Sequence, residues 1–263
     1  MRFVPLDIFR IIGSLTLSFL AEIGRLCLFA RDALWMGLSP RFYGSQILTQ
    51  IFRVGYTSLP VVALTAFFTG GALALQIYTG STASTAATLV PAIVAVGITR
   101  ELGPVLAGLM VSGRVGASIA AELGTMKVTE QTDALVTLST NPFKYLIGPR
   151  LIAAVVSLPV LVFVGDIIGV MGGYVIGTRG LGFNGAAFLK TTADALHTDD
   201  VTSGLIKASV FGFIIALMGC YHGFNSKGGA QGVGRATTNA VVSSAIMILA
   251  ANFILTSLLF GKH

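Results

Sequence analysis

The chain has 263 residues, of which 54% are hydrophobic and 11% are charged, and its net charge is +6 at neutral pH. Soluble domains contain about 25% charged residues, so this composition excludes a soluble fold and predicts an all-α integral membrane protein with a single membrane domain. The basic residues are dispersed rather than clustered, which argues against nucleic-acid binding.

Residues 1–55 are predicted to form an amphipathic helix that lies on the membrane surface. Arginines interrupt apolar residues throughout this segment, and its apolar run, Ile11–Ala21, is about half of the ~20 residues that a span needs. Arginines among phenylalanines and leucines favour an interfacial helix. The alternative is a poorly ordered or partly inserted tail.

Residues 56–263 are predicted to form a membrane domain with five spans. The apolar segments fall at about 58–78, 89–111, 151–176, 201–221 and 241–260. The third span carries a ridge of glycines at four-residue spacing: Gly165, Gly169, Gly173 and Gly177. Because glycine ridges let helices approach closely, we expect this span to pack inside the bundle.

Five spans place the two chain ends on opposite sides of the membrane. The arginines of the N-terminal segment then share one side with the basic residues that follow the second and fourth spans: Arg114, Lys127, Lys144, Arg150, Lys227 and Arg235. The positive-inside rule assigns that side to the cytoplasm. We therefore expect a cytoplasmic N-terminus and a C-terminus on the outer side, which is the periplasm in a bacterium.

Two ionisable residues, Arg100 and Glu101, lie within the second span. Glu101 is twelve residues from Leu89, about 18 Å at the helical rise, and so lies inside a hydrocarbon core about 30 Å thick. Pro104 removes a backbone donor and is expected to break the helix there. A polar point in a substrate cavity and a structural ion pair that locks helices together explain these residues equally well.

Asp166 is a second intramembrane acid, on the third span. It could pair with Arg100, or carry protons in a coupled transporter. A hydrogen bond to a neighbouring helix is the favoured interpretation, because proton relays usually involve a chain of such groups.

The polar segment between the second and third spans is predicted to contain a short amphipathic helix within Glu122–Leu138, ended by Asn141-Pro142. Residues 114–150 make a connection far longer than the usual 2–8 residues between helices. That length favours a docking helix for a soluble partner over an ordinary solvated connection.

The glycine-rich loop GFNSKGGAQGVGR lacks the G-K-[ST] element of a phosphate-binding loop. If transport uses ATP, another polypeptide must bind it. The histidines have no metal-ligand spacing, so we expect neither a metal site nor an enzymatic activity in this chain.

The stretch TRELGPVLAGLMVSGRVGASIAAELGTMKVTEQTDAL resembles the MlaE family of permeases, the membrane subunits of phospholipid-transporting ABC systems. The similarity continues through NPFKYLIGPR, SLPVL, GGYVIG and GVGRATTNAVV, and covers the chain from about Val54 onward. The N-terminal segment resembles the family only in being amphipathic. An acid at the position of Asp166 is not part of the family pattern.

The resemblance implies a homodimer in the bacterial inner membrane, with an N-terminal interfacial helix, five spans and a cytoplasmic coupling helix. Its implied partners are a cytoplasmic ABC ATPase that holds ATP and Mg²⁺, a periplasmic Mce-domain substrate-binding protein and a small cytoplasmic accessory protein. This chain would bind no cofactor itself. It would move phospholipid between the inner membrane and the Mce partner, and so contribute to outer-membrane lipid asymmetry.

The resemblance also assigns residues. The lipid cavity at the dimer interface would be lined by Leu73, Gln76, Ile77, Arg100, Glu101 and Leu102. The coupling helix, at about Thr125–Leu138, would dock the ATPase through Thr125, Lys127, Glu130, Gln131, Asp133 and Leu135. Two alternatives stay open: an ion- or proton-coupled secondary transporter using Asp166 and Glu101, and a structural membrane anchor for a soluble complex.

Overall fold

The computed structural model describes residues 5–37 and 44–260. The ends of the chain and residues 38–43, which belong to the predicted interfacial segment and to the predicted outer C-terminus, lie outside the described residues. Every regular element in the described part is helical. The helices are α1 (Pro5–Gly37), α2 (Gly44–Gly55), α3 (Leu59–Gly80), α4 (Ala83–Gly97), α5 (Gly103–Val111), α6 (Ala117–Val128), α7 (Gln131–Thr137), α8 (Gly148–Val175), α9 (Gly185–Ala195), α10 (Thr198–Phe224) and α11 (Gly229–Phe260).

Five helical segments are long and apolar enough to cross a membrane, which confirms the predicted all-α membrane fold. They are Gly44–Gly80, Thr85–Val128, Phe143–Gly180, Thr198–Phe224 and Gly229–Phe260. Each is longer than its predicted span, because the helix continues beyond the apolar stretch. The predicted domain boundary after residue 55 falls inside the first of these segments, in which α2 leads directly into α3.

The expected helix break at Pro104 is wrong. The second segment stays helical through the proline, because a π-helical turn at Ile98–Leu102 precedes it and the backbone N–H of Gly103 donates to the carbonyl of Ile98. A second π-helical turn, Ser112–Gly116, joins α5 to α6. Such single-turn widenings often occur at functional sites.

The third span, α8, lies at the centre of the bundle, between α3 and α10. Its glycine ridge faces α3 and α4: a methyl group added at Gly165 would lie 3.2 Å from Val62, and one at Gly173 would lie 2.7 Å from Val94. A methyl group at Gly172 would overlap the carbonyl of Phe67. Close backbone approach therefore holds α8 against the first span.

The N-terminal helix α1 packs against the α7 end of the bundle and is not one of the five span-like segments. Phe29 lies 5.3 Å from Phe143 and 5.4 Å from Tyr221, measured between ring centroids. The carboxylate of Glu22 accepts a hydrogen bond of 2.8 Å from the Tyr221 hydroxyl. These contacts place α1 at the same end of the bundle as the connection between the second and third spans.

The fifth span, α11, is the least buried of the five. It covers α10 and α6 with one face and exposes a stripe of large apolar side chains on the other: Ile246, Leu249, Phe253 and Leu258. The exposed stripe suits contact with lipid or with a second membrane protein.

Candidate functional site

The π-helical turn at Ile98–Leu102 presents Arg100 and Glu101 to the start of α10. Gly204 makes this approach possible, because a methyl group there would overlap the backbone carbonyl of Thr99. The two charged residues do not pair with each other. Each one has its own partner on α10, so the site is a set of interhelical contacts.

Glu101 is the centre of the larger set. Its Oε1 accepts hydrogen bonds from Lys207 Nζ (2.8 Å) and from the Thr256 hydroxyl (2.9 Å), and its Oε2 accepts one from Asn252 Nδ2 (2.8 Å). Asn252 and Thr256 are one helical turn apart on α11. Glu101 therefore ties the second, fourth and fifth spans together.

Lys207 is fully buried, and its three N–H donors all have acceptors. Besides Glu101, it donates to the Thr256 hydroxyl (2.8 Å) and to the backbone carbonyl of Arg100 (2.8 Å). An ammonium group has three donors, and a buried charge is tolerated when it is paired and hydrogen-bonded. This arrangement satisfies both requirements.

Arg100 pairs with Asp200, which is completely buried at the start of α10. Asp200 Oδ2 also accepts a 3.0 Å hydrogen bond from the backbone N–H of His197 and so caps α10. The Arg100 guanidinium lies 4.5 Å from the centre of the Phe260 ring, a favourable cation–π distance. The suggested pairing of Arg100 with Asp166 is wrong, because Asp200 occupies that role.

We call Arg100, Glu101, Asp200, Lys207, Asn252 and Thr256 the charge network. It contains two cations and two anions, so its net charge is zero. The side chains of Arg100 and Glu101 are 36% and 39% exposed, whereas those of Asp200 and Lys207 are 0% exposed. The buried half fixes the geometry, and the exposed half offers a guanidinium and a carboxylate to a polar ligand.

Four members of the network were missed by the sequence interpretation. Lys207 lies inside α10, and a lysine within an apolar span is itself a sign of function. Asp200 lies in the first turn of the same helix. Asn252 and Thr256 carry no charge and lack any signal in a single sequence.

The other predicted cavity residues lie apart from the network. Leu73 and Ile77 pack against the apolar cluster that joins α3, α4 and α9, while Gln76 is exposed on α3. Leu102 lines a small hollow between α3 and α5. In the described part of the chain, none of the four shares a hydrogen bond or ion pair with Arg100 or Glu101.

The predicted coupling helix is two pieces rather than one. Thr125 and Lys127 belong to the last turns of α6, and Glu130 adopts a left-handed conformation (φ 60°) that turns the chain into the separate helix α7. Lys127 Nζ lies 2.8 Å from Asp133 Oδ1 and closes this corner. Gln131 and Asp133 are exposed on α7, and Leu135 packs against the core.

Asp166 has no hydrogen bond or ion pair with any described residue, so the expected interhelical hydrogen bond is also wrong. Its Oδ1 is buried without a partner against Gly103, where an added methyl group would overlap it. The described residues contain no group of three or more metal-ligating side chains that could hold an ion.

Five helices long and apolar enough to cross a membrane, with a neutral charge network between them, define a polytopic membrane protein with a polar site inside its bundle. The sequence model described as Permease MlaE matches residues 47–258. The chain belongs to the MlaE permease family, a family of ABC transporter permeases, as its resemblance to that family predicted.

Curated relatives agree with this assignment over nearly the whole chain. A probable ABC transporter permease protein of Rickettsia typhi is 54% identical over 97% of this chain and 98% of its own length. The intermembrane phospholipid transport system permease protein MlaE of Haemophilus influenzae is 31% identical over 95% of this chain and 96% of its own length. The chloroplastic protein TRIGALACTOSYLDIACYLGLYCEROL 1 of Arabidopsis thaliana is 36% identical over 86% of this chain and 69% of its own length.

Proposed function

We propose that this permease moves phospholipid, and that the exposed half of the charge network contacts the headgroup. The observation that carries the proposal is that Arg100 and Glu101 are half-exposed while their partners are buried. A guanidinium binds phosphate oxygens well, and a carboxylate accepts hydrogen bonds from an ammonium or a hydroxyl group. The two together complement a zwitterionic headgroup. The similarity to the Haemophilus influenzae phospholipid transport permease supports phospholipid as the substrate.

The working unit in this proposal is a homodimer. The exposed apolar stripe lies on α11, the same helix that carries the network residues Asn252 and Thr256. A second copy packed on this stripe would cover apolar surface and enclose the space beside Glu101. Leu73, Gln76 and Ile77 on α3 would line the outer part of the same cavity.

We assign the partners to the two ends of the bundle. A cytoplasmic ATPase, which holds ATP and Mg²⁺, docks at α7, and an Mce-domain protein receives or delivers lipid at the opposite, periplasmic end. A small accessory protein completes the complex. In this arrangement α1 and α7 lie at the inner-membrane surface facing the cytoplasm, the C-terminus faces the periplasm, and the system contributes to outer-membrane lipid asymmetry.

The mechanism uses the continuity of the second helical segment. Motion of the ATPase pushes α7, and the Lys127–Asp133 ion pair passes the push to α6. The π-helical turns Ser112–Gly116 and Ile98–Leu102 are the irregular points at which the segment can change its twist. A change of twist at Ile98–Leu102 moves Arg100 and Glu101 against α10 and alters the cavity. This chain performs no covalent chemistry.

The test is lipid cross-linking and lipid-stimulated ATP hydrolysis of the purified complex carrying Glu101→Ala or Glu101→Lys. We expect both readouts to fall, more strongly for the lysine, which opposes Lys207 and Arg100. Asp194→Asn, an exposed carboxylate change on α9, is the control. Unchanged lipid cross-linking and unchanged stimulation in both Glu101 variants would remove Glu101 from the mechanism.

The rival functions make different predictions. A proton-coupled transporter using Asp166 and Glu101 would work without the ATPase and would lose transport in Asp166→Asn. A structural anchor would carry no lipid. Native mass spectrometry of the gently extracted protein, which reports subunits and bound lipid together, separates these possibilities from an ABC permease.

A further inference from the structure

A groove separate from the charge network opens between α8, α9 and the start of α10. Its volume is about 470 Å³, within the range of about 300–1,000 Å³ typical of small-molecule sites. Three residues at four-residue spacing on α8, Phe163, Ile167 and Met171, form one wall and are about half-exposed on the surface of the bundle. Leu189 of α9 contributes to the opposite wall.

The groove contains polar atoms that lack partners. Asp166 also lines it; the residue is 7% exposed, and its Oδ1 is buried with no hydrogen bond. The Thr192 hydroxyl, on α9, is also buried without a partner and lines the same groove. Buried polar groups normally have partners, and leaving one unsatisfied is costly. Two polar side chains that line one apolar groove and have no hydrogen-bond partner among the described residues favour a ligand with a polar end.

The charges around the groove restrict the chemistry of that ligand. Of the described residues that line it, Asp166 alone carries a carboxyl group, and none carries a basic group. No cation is available to neutralise a phosphate or a carboxylate, so an acidic headgroup is disfavoured. A hydroxyl group fits better, because it can donate to the Asp166 carboxyl group and accept from the Thr192 hydroxyl.

We propose that this groove binds a neutral, hydroxyl-headed amphiphile with a single acyl chain, of the monoacylglycerol type. The chain lies along the wall of Phe163, Ile167 and Met171, and the hydroxyl group reaches Asp166. Because the wall is part of the membrane-facing surface of α8, the ligand enters from the bilayer. The groove shares Thr99 with the π-helical turn, but its site is distinct from the network at Glu101.

The test is photolabelling of the full-length protein in phosphatidylcholine nanodiscs with a diazirine-bearing monoacylglycerol, followed by competition. Unlabelled monoolein should compete, whereas methyl oleate and oleoyl lysophosphatidate should compete about tenfold less well, since leaving a buried polar group without its hydrogen bond costs about that factor. Equal competition by methyl oleate would show that only the acyl chain is recognised and would overturn the proposal. Absence of labelling in the phosphatidylcholine nanodiscs would also overturn the proposal, because the bulk phospholipid would then exclude the monoacylglycerol from the groove.

Three variants and one control test which residues bind the ligand. Asp166→Leu should reduce labelling about tenfold by removing the hydrogen-bonding group, whereas Asp166→Asn, which keeps a carbonyl oxygen, should retain most of it. Met171→Trp fills the groove from its exposed side and should block labelling even if Asp166→Leu does not fold. Leu64→Trp, at an exposed apolar position of α3 away from the groove, is the control and should leave labelling unchanged. Labelling that persists in Met171→Trp would contradict the proposed site.

Discussion

Lys207 Nζ donates a 2.8 Å hydrogen bond to the backbone carbonyl of Arg100. In an unbroken α-helix this carbonyl would accept from residue 104, and Pro104 has no N–H to donate. A side chain of the fourth span thus satisfies a backbone group of the second span, at the same point where it pairs with Glu101. The proline and the lysine together make the π-helical turn a junction between helices rather than a break.

Replacing Lys207 should destabilise the bundle. Lys207→Met leaves the carboxylate of Glu101 and the carbonyl of Arg100 without their partner, and breaking a buried ion pair costs about 3–5 kcal/mol. Because Glu101 is partly exposed, water recovers part of this loss, and we expect the lower end of the range. A lower Tm in detergent would show it. Lys190→Met, on the exposed surface of α9, should change the Tm little, and a Tm equal to that of the unmodified protein in Lys207→Met would contradict the role of the lysine.

The double variant Lys207→Met/Glu101→Gln should recover some of the Tm lost in Lys207→Met alone. Removing both charges leaves no unpaired ion, and the neutral amide still accepts from Thr256 or Asn252. Thermal melting of the four proteins of this cycle gives the coupling energy. Strictly additive losses would mean that Lys207 and Glu101 do not interact in the membrane.

Gly204→Ala should separate α10 from the π-helical turn. The new methyl group would overlap the Thr99 carbonyl, and overpacking of this kind costs about 1–3 kcal/mol. Gly24→Ala, in α1, is the control, since nothing lies within 4 Å of a methyl group at that helical position. We expect a lower Tm and weaker lipid cross-linking only in Gly204→Ala, and equal behaviour of the two variants would be evidence against close packing at Thr99.

A charged residue on α7 should weaken binding of the ATPase without unfolding the permease. Val136, next to the polar residues of α7, is 59% exposed, and Val136→Asp places a charge on the proposed docking surface. Co-purification of the ATPase should fall while the Tm of the permease alone is kept. Ala193→Asp, at an exposed position of α9, is the control; loss of the ATPase in that variant as well would argue that docking is not specific to α7.

Attachment of α1 should weaken in acid. Hydrogen bonds from Arg25 and Tyr221 lower the pKa of Glu22 below its ordinary value of 4.5. A carboxyl group with a lowered pKa stabilises the folded state above its ordinary pKa, and this contribution is lost as the pH falls through the lower value. The pair is largely exposed, so its effect is small. Proteolysis of α1 should therefore be faster in Glu22→Gln than in the unmodified protein at pH 7, and the difference should shrink as the pH falls below 4.5. A difference that stays constant as the pH is lowered would contradict the titration.

The sequence alone determined the class of the fold, because five long apolar segments and few charges leave little choice but a helical membrane protein. It also located Arg100 and Glu101 inside a span, and the strings around them identified the family. These properties are local: they depend on residues close together in the chain, and hydrophobic length can be counted without knowing which helix touches which.

The partners of those charges were decided only by the tertiary structure. Arg100 meets Asp200 and Glu101 meets Lys207, a hundred or more residues away, because Gly204 lets α10 approach the π-helical turn. The same packing leaves Asp166 unpaired in its groove and carries the second helix through Pro104. Which acid pairs with which cation depends on distances of a few ångströms between helices, and the spacing of residues along one chain contains no such distances.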